Sequence, residues 1–211
     1  MSSAVVSSIP ATGMIPFFFA AAKKNGIIPI AGMELTTAED IHLVCLFEDI
    51  NKALAFNDEV DKHRIRIPNR TDIFGDQLLM NENDEVIGEE ADLLSNALDL
   101  ALEDVPPLVE TFDGICYPAH VDREANGIIA TLGVFPPEPR FAICELHDME
   151  KYEQLSAIHP PMQKMLCVSG SDAHYLWDIR DKEYYFELDD EPYSSDRVRQ
   201  ELFRTLRGGK R

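Results

Sequence analysis

The sequence predicts a single α/β domain, and three observations predict it. Short runs that are apolar on both faces alternate with charged stretches of helical period. Most residues able to carry chemistry fall at or just after those apolar runs. At 211 residues with 45 % hydrophobic side chains, the chain is long enough to bury one sizeable core. Strands apolar on both faces are usual where helices cover both sides of a sheet, so the expected sheet is mainly parallel.

The first expected helix covers Pro16–Lys24, an apolar run closed by Lys23, Lys24 and the stop signal Asn25-Gly26. No positively charged segment precedes it, which argues against a secretory leader. A strand is expected at Ile27–Ile30, with Glu34 following in GMEL, and a second at His42–Phe47, which opens on His42. Helical period then runs over Ile50–His63 and again over Ser95–Glu110. The strand expected at Gly114–Tyr117 leads into YPAH, which carries His120, and directly into Asp122 and Arg123. A strand at Ala142–Glu145 precedes a helix at Met149–Ala157, and a strand at Met165–Ser169 runs into SGSDAH with Asp172 and His174. The last helix, Ser195–Leu206, has serines at its start, Asp196 in its first turn and Gly208-Gly209 beyond its end, leaving 207–211 as a frayed tail.

One segment interrupts the alternation. From Thr71 to Gly88 the chain reads TDIFGDQLLMNENDEVIG, in which NENDEV forms a tight turn between two short apolar runs. Through Glu90 the segment carries many carboxylates and no Lys or Arg. Residues 69–94 are therefore expected to form a small acidic hairpin or insertion at the rim of a site, within one domain spanning 1–211.

Composition narrows the function. Asp and Glu number 38 against 19 Lys and Arg, for a formal net charge of −19, so phosphate backbones and anionic membranes are expected to be repelled and no nucleic-acid partner is expected. The four cysteines, Cys45, Cys116, Cys144 and Cys167, sit in apolar runs without CxxC spacing and read as reduced, buried thiols. With no run long enough to span a membrane, a cytoplasmic location is expected. There is no GxGxxG after a strand, no GxxxxGK[ST], no HExxH and no GxSxG, so nucleotide-cofactor and triad chemistry lack support.

What remains is a mixed set of carboxylates and imidazoles. Glu34, His42, His120, Asp172 and His174 lie at strand ends, where α/β enzymes gather catalytic groups. Carboxylate oxygen with imidazole nitrogen is a donor set suited to zinc, manganese or iron. The SDAH segment is the strongest local signal, because an Asp and a His two residues apart can point into one mouth. Glu145 stands next in order as a further member, whereas His147 is expected to be exposed. Arg123 is placed to hold a phosphate through paired donors, and Asn69 with Arg70 are a second candidate anion contact. His63 and His159 are expected at the surface.

The order of GMELTT, EDIHLVCLFED, NRTDIFGDQLLMNENDEVIGEE, YPAHVDR and GSDAHYL resembles the bacterial PHP (polymerase and histidinol phosphatase) family of metal-dependent phosphoesterases, over roughly Pro16 to Ile179. The resemblance implies a distorted (β/α)7 TIM-like barrel whose strand ends hold up to three metal ions. Glu34 would bridge two metals, His42 and His120 would complete one of those sites, and Asp172 and His174 would serve the others and take part in catalysis. The family pattern also opens with a His-x-His strand followed by an Asp-His pair. This sequence has neither, and Ser7-Ser8-Ile9 falls about where the pair would stand. The barrel is accordingly expected to be incomplete at its N-terminal strand. The implied function is metal-dependent hydrolysis of a small phosphate ester, impaired in this chain. The alternative is a noncatalytic metal- or ligand-binding module of degenerate PHP type. An open barrel edge would also invite pairing with a second copy of the chain.

Overall fold

A computed structural model describes residues 4–8, 14–180 and 183–208, the first five and Met14 through their backbone only. Its central feature is a sheet of four strands, in spatial order β1 (Ala4–Ser8), β2 (Ile28–Thr36), β3 (His42–Phe47) and β6 (Ile115–Pro118). Two further strands, β7 (Ile143–Leu146) and β8 (Leu166–Ser169), form a parallel pair beyond β6, to which Val121 N–H ties them by donating to Glu145 O at 2.8 Å. β4 (Leu78–Met80) and β5 (Val86–Glu89) make a separate antiparallel hairpin within the acidic segment.

β3 runs antiparallel to both β2 and β6, against the expectation of parallel neighbours. The reason is connection length: only residues 37–41 link β2 to β3, whereas a parallel crossover needs about a dozen or more. The link is a tight turn in which buried Thr37 accepts the Ile41 N–H on its Oγ1 at 3.3 Å. β2 also runs six residues beyond its expected end at Ile30, so Glu34 lies inside a strand, opposite Val44.

Alternation along the strands sorts their side chains onto two faces. Ala31, Met33 and Leu35 of β2, with Leu43, Cys45 and Phe47 of β3, pack against α2 (Ile50–Asp61) and α4 (Val105–Thr111) through Ala53, Phe56, Val60, Val105 and Val109. On the other face Ile30, Val44, Leu46, Tyr117, Ala119 and Ile143 pack against Leu202, Phe203 and Leu206 of the last helix, α7 (Ser195–Leu206). A barrel would fill that face with side chains from strands around its circumference. Here a helix covers it, and the described strands form open sheets rather than a closed barrel.

The remaining helices are short. α1 (Met14–Lys24), α2 and α7 follow the expected segments closely, α7 being capped by Ser194, whose side chain accepts the Arg197 N–H. α4 is the exception, because the helix expected from Ser95 begins only at Val105. Pro106 and Pro107 explain the late start: proline lacks an N–H and is accommodated in a first turn but not in a helix interior. α3 (Thr71–Phe74), α5 (Ile128–Leu132) and α6 (Tyr152–Ile158) complete the set, and the run at 149–157 divides into a 3₁₀ turn at Met149–Lys151 and α6. Ile9 and residues 209–211 lie outside the described residues. Among the described residues no helix is long and apolar enough to cross a membrane, and all four cysteines are free thiols.

Candidate metal centre

Reversal of β3 creates the site. Because β3 alone runs backwards in the four-stranded sheet, its first residue stands at the same edge as the last residues of β2 and β6. Thr36 pairs with His42 in the register, so Glu34, two residues earlier, shares a face with His42. His120 follows β6 by two residues and is buried. Its φ of +26° lies in a region that L-residues rarely adopt, a strain often found at functional positions.

The three donor atoms converge. His120 Nε2 lies 3.3 Å from Glu34 Oε1 and 3.2 Å from His42 Nδ1, while His42 Nδ1 pairs directly with the same Glu34 oxygen. Donors bound at about 2.0–2.1 Å to one tetrahedral ion stand roughly 3.3 Å apart, close to both separations that involve His120. Glu34, His42 and His120 form the one such cluster among the described residues. Burial raises the pKa of Glu34, but hydrogen bonds and charges from His120 and His42 outweigh it and bring the carboxyl down to about 2. Glu34 is therefore anionic at every working pH. For His120 burial opposes protonation, yet the Glu34 hydrogen bond and charge prevail and raise its pKa. His120 Nδ1 is buried without a hydrogen-bond partner, so the ring's polar contacts are all made through Nε2, to Glu34 and His42. The convergence of one carboxylate oxygen and two imidazole nitrogens is a donor set suited to a divalent cation.

Glu145 adjoins this cluster more closely than sequence order suggested. Its carboxyl accepts the backbone N–H of His120 at 3.4 Å, and burial, together with the charges of Glu34 and Asp172, raises its pKa to about 7 despite that hydrogen bond. Room for it comes from Gly170: a Cβ there would lie 2.5 Å from the Glu145 carboxyl carbon. The available signal was parity, since Glu145 points to the same face as Ile143, which packs under α7.

Asp172 and His174 form a second group. Asp172 pairs with Arg123 and stands 3.5 Å from His174 Nε2, and it too has positive φ, at +47°. His174 is largely exposed, at 77 %. The Asp122 side chain is fully buried and accepts the N–H groups of His147 and Asp148 at 2.7 and 3.0 Å, so it pins the loop after β7. His147 is half-buried, with Arg180 Nη2 2.8 Å from its Nδ1, and His159 is buried, its Nδ1 accepting the Phe135 N–H, which corrects the exposed positions expected for both. A buried polar loop atom needs a partner, and these imidazoles serve that need.

Beside the triad lies a cavity of about 370 Å³, lined by Glu34 and His42 on one side and by Phe74, Gln77, Leu93 and Leu94 of the acidic segment on the other. Arg64 also lines it. Asn69 and Arg70 do not: Asn69 donates to Gly75 O at 2.9 Å, and Arg70 is exposed and paired with Asp72.

Comparison with known proteins adds the fold. No family model and no curated protein matches the sequence. Among solved structures, the chain is similar to the lesion-specific endonuclease Q of Pyrococcus furiosus, with a TM-score of 0.52 at 14 % identity over 88 % of this chain and 40 % of that one. It is also similar to an endonuclease Q complexed with a 27-mer duplex bearing an abasic lesion at the active site, with a TM-score of 0.55 at 14 % identity over 99 % of this chain and 49 % of that one. A candidate metal-dependent phosphoesterase from Bifidobacterium adolescentis superposes at a TM-score of 0.48 and 14 % identity, over 96 % of this chain and 85 % of that one, too low to carry an argument. The chain spans less than half the length of either endonuclease chain, and the likeness shows a shared fold. It also corrects one expectation. Net charge excluded nucleic acid, yet a protein of similar fold holds a DNA duplex at its active site. Net charge describes a whole surface, whereas a partner is recognised by the local field of one site.

Proposed function

We propose that this chain is a metal-dependent phosphoesterase-like hydrolase of the PHP type, with Glu34, His42 and His120 as the ligands of one divalent ion, manganese, zinc or iron. The convergence of those three donors on one point carries the reading. A divalent ion held there supplies a Lewis acid and a water acidified toward neutral pH. Glu34 contributes a permanent negative charge, and His120 must shed its proton to serve as a ligand, so metal uptake releases protons and weakens in acid. Glu145, whose pKa burial raises to about 7 in the metal-free chain, adjoins His120 and is suited to take up or deliver a proton there. Asp172 and His174 are assigned as further donors and Arg123 as a phosphate holder once released from Asp172. Asn69 and Arg70 take no part, being turned to local partners. Residues 69–94 act as an insertion that walls the site.

Metal analysis and phosphate release test the reading together. The purified chain is expected to carry or take up close to one manganese, zinc or iron ion and to release phosphate from a model monoester, at a reduced rate because three donors converge at only one point among the described residues. DNA bearing a lesion belongs in the same assay, since the fold serves such a substrate in endonuclease Q. A chain that takes up no metal sinks the proposal. Metal uptake with no hydrolysis of any ester selects the second reading, a noncatalytic binding module, which is favoured by the single donor cluster among the described residues.

A further inference from the structure

We infer that Arg64 is the anion-recognition residue of the cavity beside the triad, and that the ligand it selects is a phosphate monoester with a compact, carbon-rich body. This deepens the phosphoesterase reading and rests on it for the identity of the anion. Four observations on Arg64 and the cavity it lines converge.

The first is position. Arg64 forms an antiparallel bridge with Leu98, and Leu98 N–H donates to Thr36 O at 2.9 Å, so the backbone of Arg64 is tied through one intervening strand-like segment to the end of β2 that carries Glu34. Both Arg64 and Glu34 line the same cavity. The second is an unmet valence. The side chain is only 11 % exposed and its Nη2 is buried without a hydrogen bond. A buried charged donor without an acceptor is costly, and such groups in folded proteins call for an explanation.

The third observation is that the neighbouring carboxylates are shared with other donors and reach Arg64 only at long range. Asp61 reaches Arg64 Nη1 only at 3.4 Å, through Oδ1, while its Oδ2 pairs closely with Arg66 Nη2 at 2.7 Å. Glu90 Oε1 lies 3.7 Å from Arg64 Nη2 and accepts the Asp92 N–H at 3.2 Å. Both acids hold the guanidinium in place and offset part of its charge, yet neither reaches the ~2.7–2.9 Å of a charge-assisted bond. A small turn of the guanidinium toward an incoming oxyanion therefore exchanges two long contacts for shorter ones. The fourth is shape. At about 370 Å³ the cavity is the size of a small-molecule site, and Val60, Phe74, Leu93, Leu94 and Leu98 give it apolar walls. A planar fork that binds phosphate oxygens in pairs, set among apolar walls and in one cavity with Glu34 and His42, selects a phosphate on a small organic body.

A free monoester and the terminal phosphate of a nucleic-acid strand share this chemistry, so the test has an arm for each. In metal-stripped protein, where no hydrolysis intervenes, binding of phenyl phosphate and of a 5′-phosphorylated tetranucleotide is measured by calorimetry for the parent chain, Arg64→Gln, Arg64→Lys and Leu94→Trp. The parent is expected to bind at least one probe, and whichever binds identifies the source. Arg64→Gln weakens that binding tenfold or more, Arg64→Lys weakens it less, and Leu94→Trp, which fills the cavity while leaving the arginine in place, weakens it comparably. Metal content of Arg64→Gln stays at the parent level, which separates this inference from the metal reading. Binding by Arg64→Gln at parent affinity overturns the assignment, as does binding by Leu94→Trp at parent affinity or a metal-free parent that binds neither probe. If Arg64→Gln does not fold, as judged by circular dichroism, Arg64→Lys decides, since loss of the planar fork must weaken binding and parent affinity overturns the assignment.

Discussion

At the scale of single residues, the candidate centre makes two quantitative demands. His120→Ala removes a buried donor whose Nε2 lies 3.3 Å from Glu34, and His42→Ala removes the donor that shares that oxygen. Loss of a direct ligand exceeds the roughly 10–100-fold effect of outer groups, so either variant is expected to lose metal affinity by more than about 100-fold, read by mass spectrometry of dialysed protein. Retention of metal by both would remove the triad from consideration. Glu145 makes a different demand, on stability. Its folded pKa of about 7 lies above the ordinary glutamate value of 4.5, so the stability it contributes is complete below pH 4.5 and is lost as the pH rises through 7. The displacement corresponds to about 3 kcal/mol at most. Glu145→Gln keeps an acceptor for the His120 N–H and is expected to be more stable than the parent at pH 8 and equal to it at pH 4, in denaturant titrations without metal. Glu34 has the opposite sign: its stabilisation is present above pH 4.5 and is lost as the pH falls toward about 2, so the two windows do not overlap. Glu34, His42 and His120 were readable in the sequence as polar residues beside apolar runs. Arg64 was not, because its interest lies in a missing hydrogen bond, which only coordinates reveal.

At the scale of elements, the best-supported prediction concerns α2. Phe56 is fully buried, with its ring centroid 4.9 Å from that of Phe47 and 5.6 Å from that of Phe112. Phe56→Ala is expected to destabilise the fold by about 3–5 kcal/mol, measured by urea denaturation, because the α2 face opposite β3 cannot close over so large a void. A cost below about 1 kcal/mol would mean that α2 is loosely docked. Five of the strands could be located from apolar runs, since β3 begins and ends where HLVCLF does and β6, β7 and β8 each shift by one residue or less at their starts. Their directions could not, because two strands apolar on both faces look alike whether parallel or antiparallel. The five-residue link at 37–41 was the decisive clue, and it lies in loop length rather than hydrophobic pattern. The proline pair at 106–107 was a second clue of this kind, outweighed by a helical period running through it. The hairpin β4–β5 came from turn chemistry, where Asn81 accepts the N–H groups of Asn83 and Glu85 on its side-chain oxygen.

At the scale of the whole molecule, charge and packing set the terms on which any substrate arrives. The packing of α7 on the inner face had no signature in the sequence beyond an amphipathic helix, because an apolar stripe does not say which face of a sheet it covers. The charge was plain from composition, and it still carries a prediction, though not the exclusion first drawn from it. A phosphate ester approaching this chain meets a formal net charge of −19 before it reaches Arg64 or Arg123. Salt screens that long-range repulsion, since the Debye length falls from about 30 Å at 0.01 M to about 8 Å at 0.15 M ionic strength, while contacts inside a cavity are screened far less. Raising ionic strength over that range is therefore expected to increase kcat/KM several-fold for a monoester dianion, and with about half the logarithmic slope for a diester monoanion, since each term scales with substrate charge. The dependence of slope on charge distinguishes screening from a general effect of salt on the protein, which would move both substrates alike. If kcat/KM instead falls with salt for both, the local field of the arginines governs approach, and the acidic surface faces away from the path of the substrate.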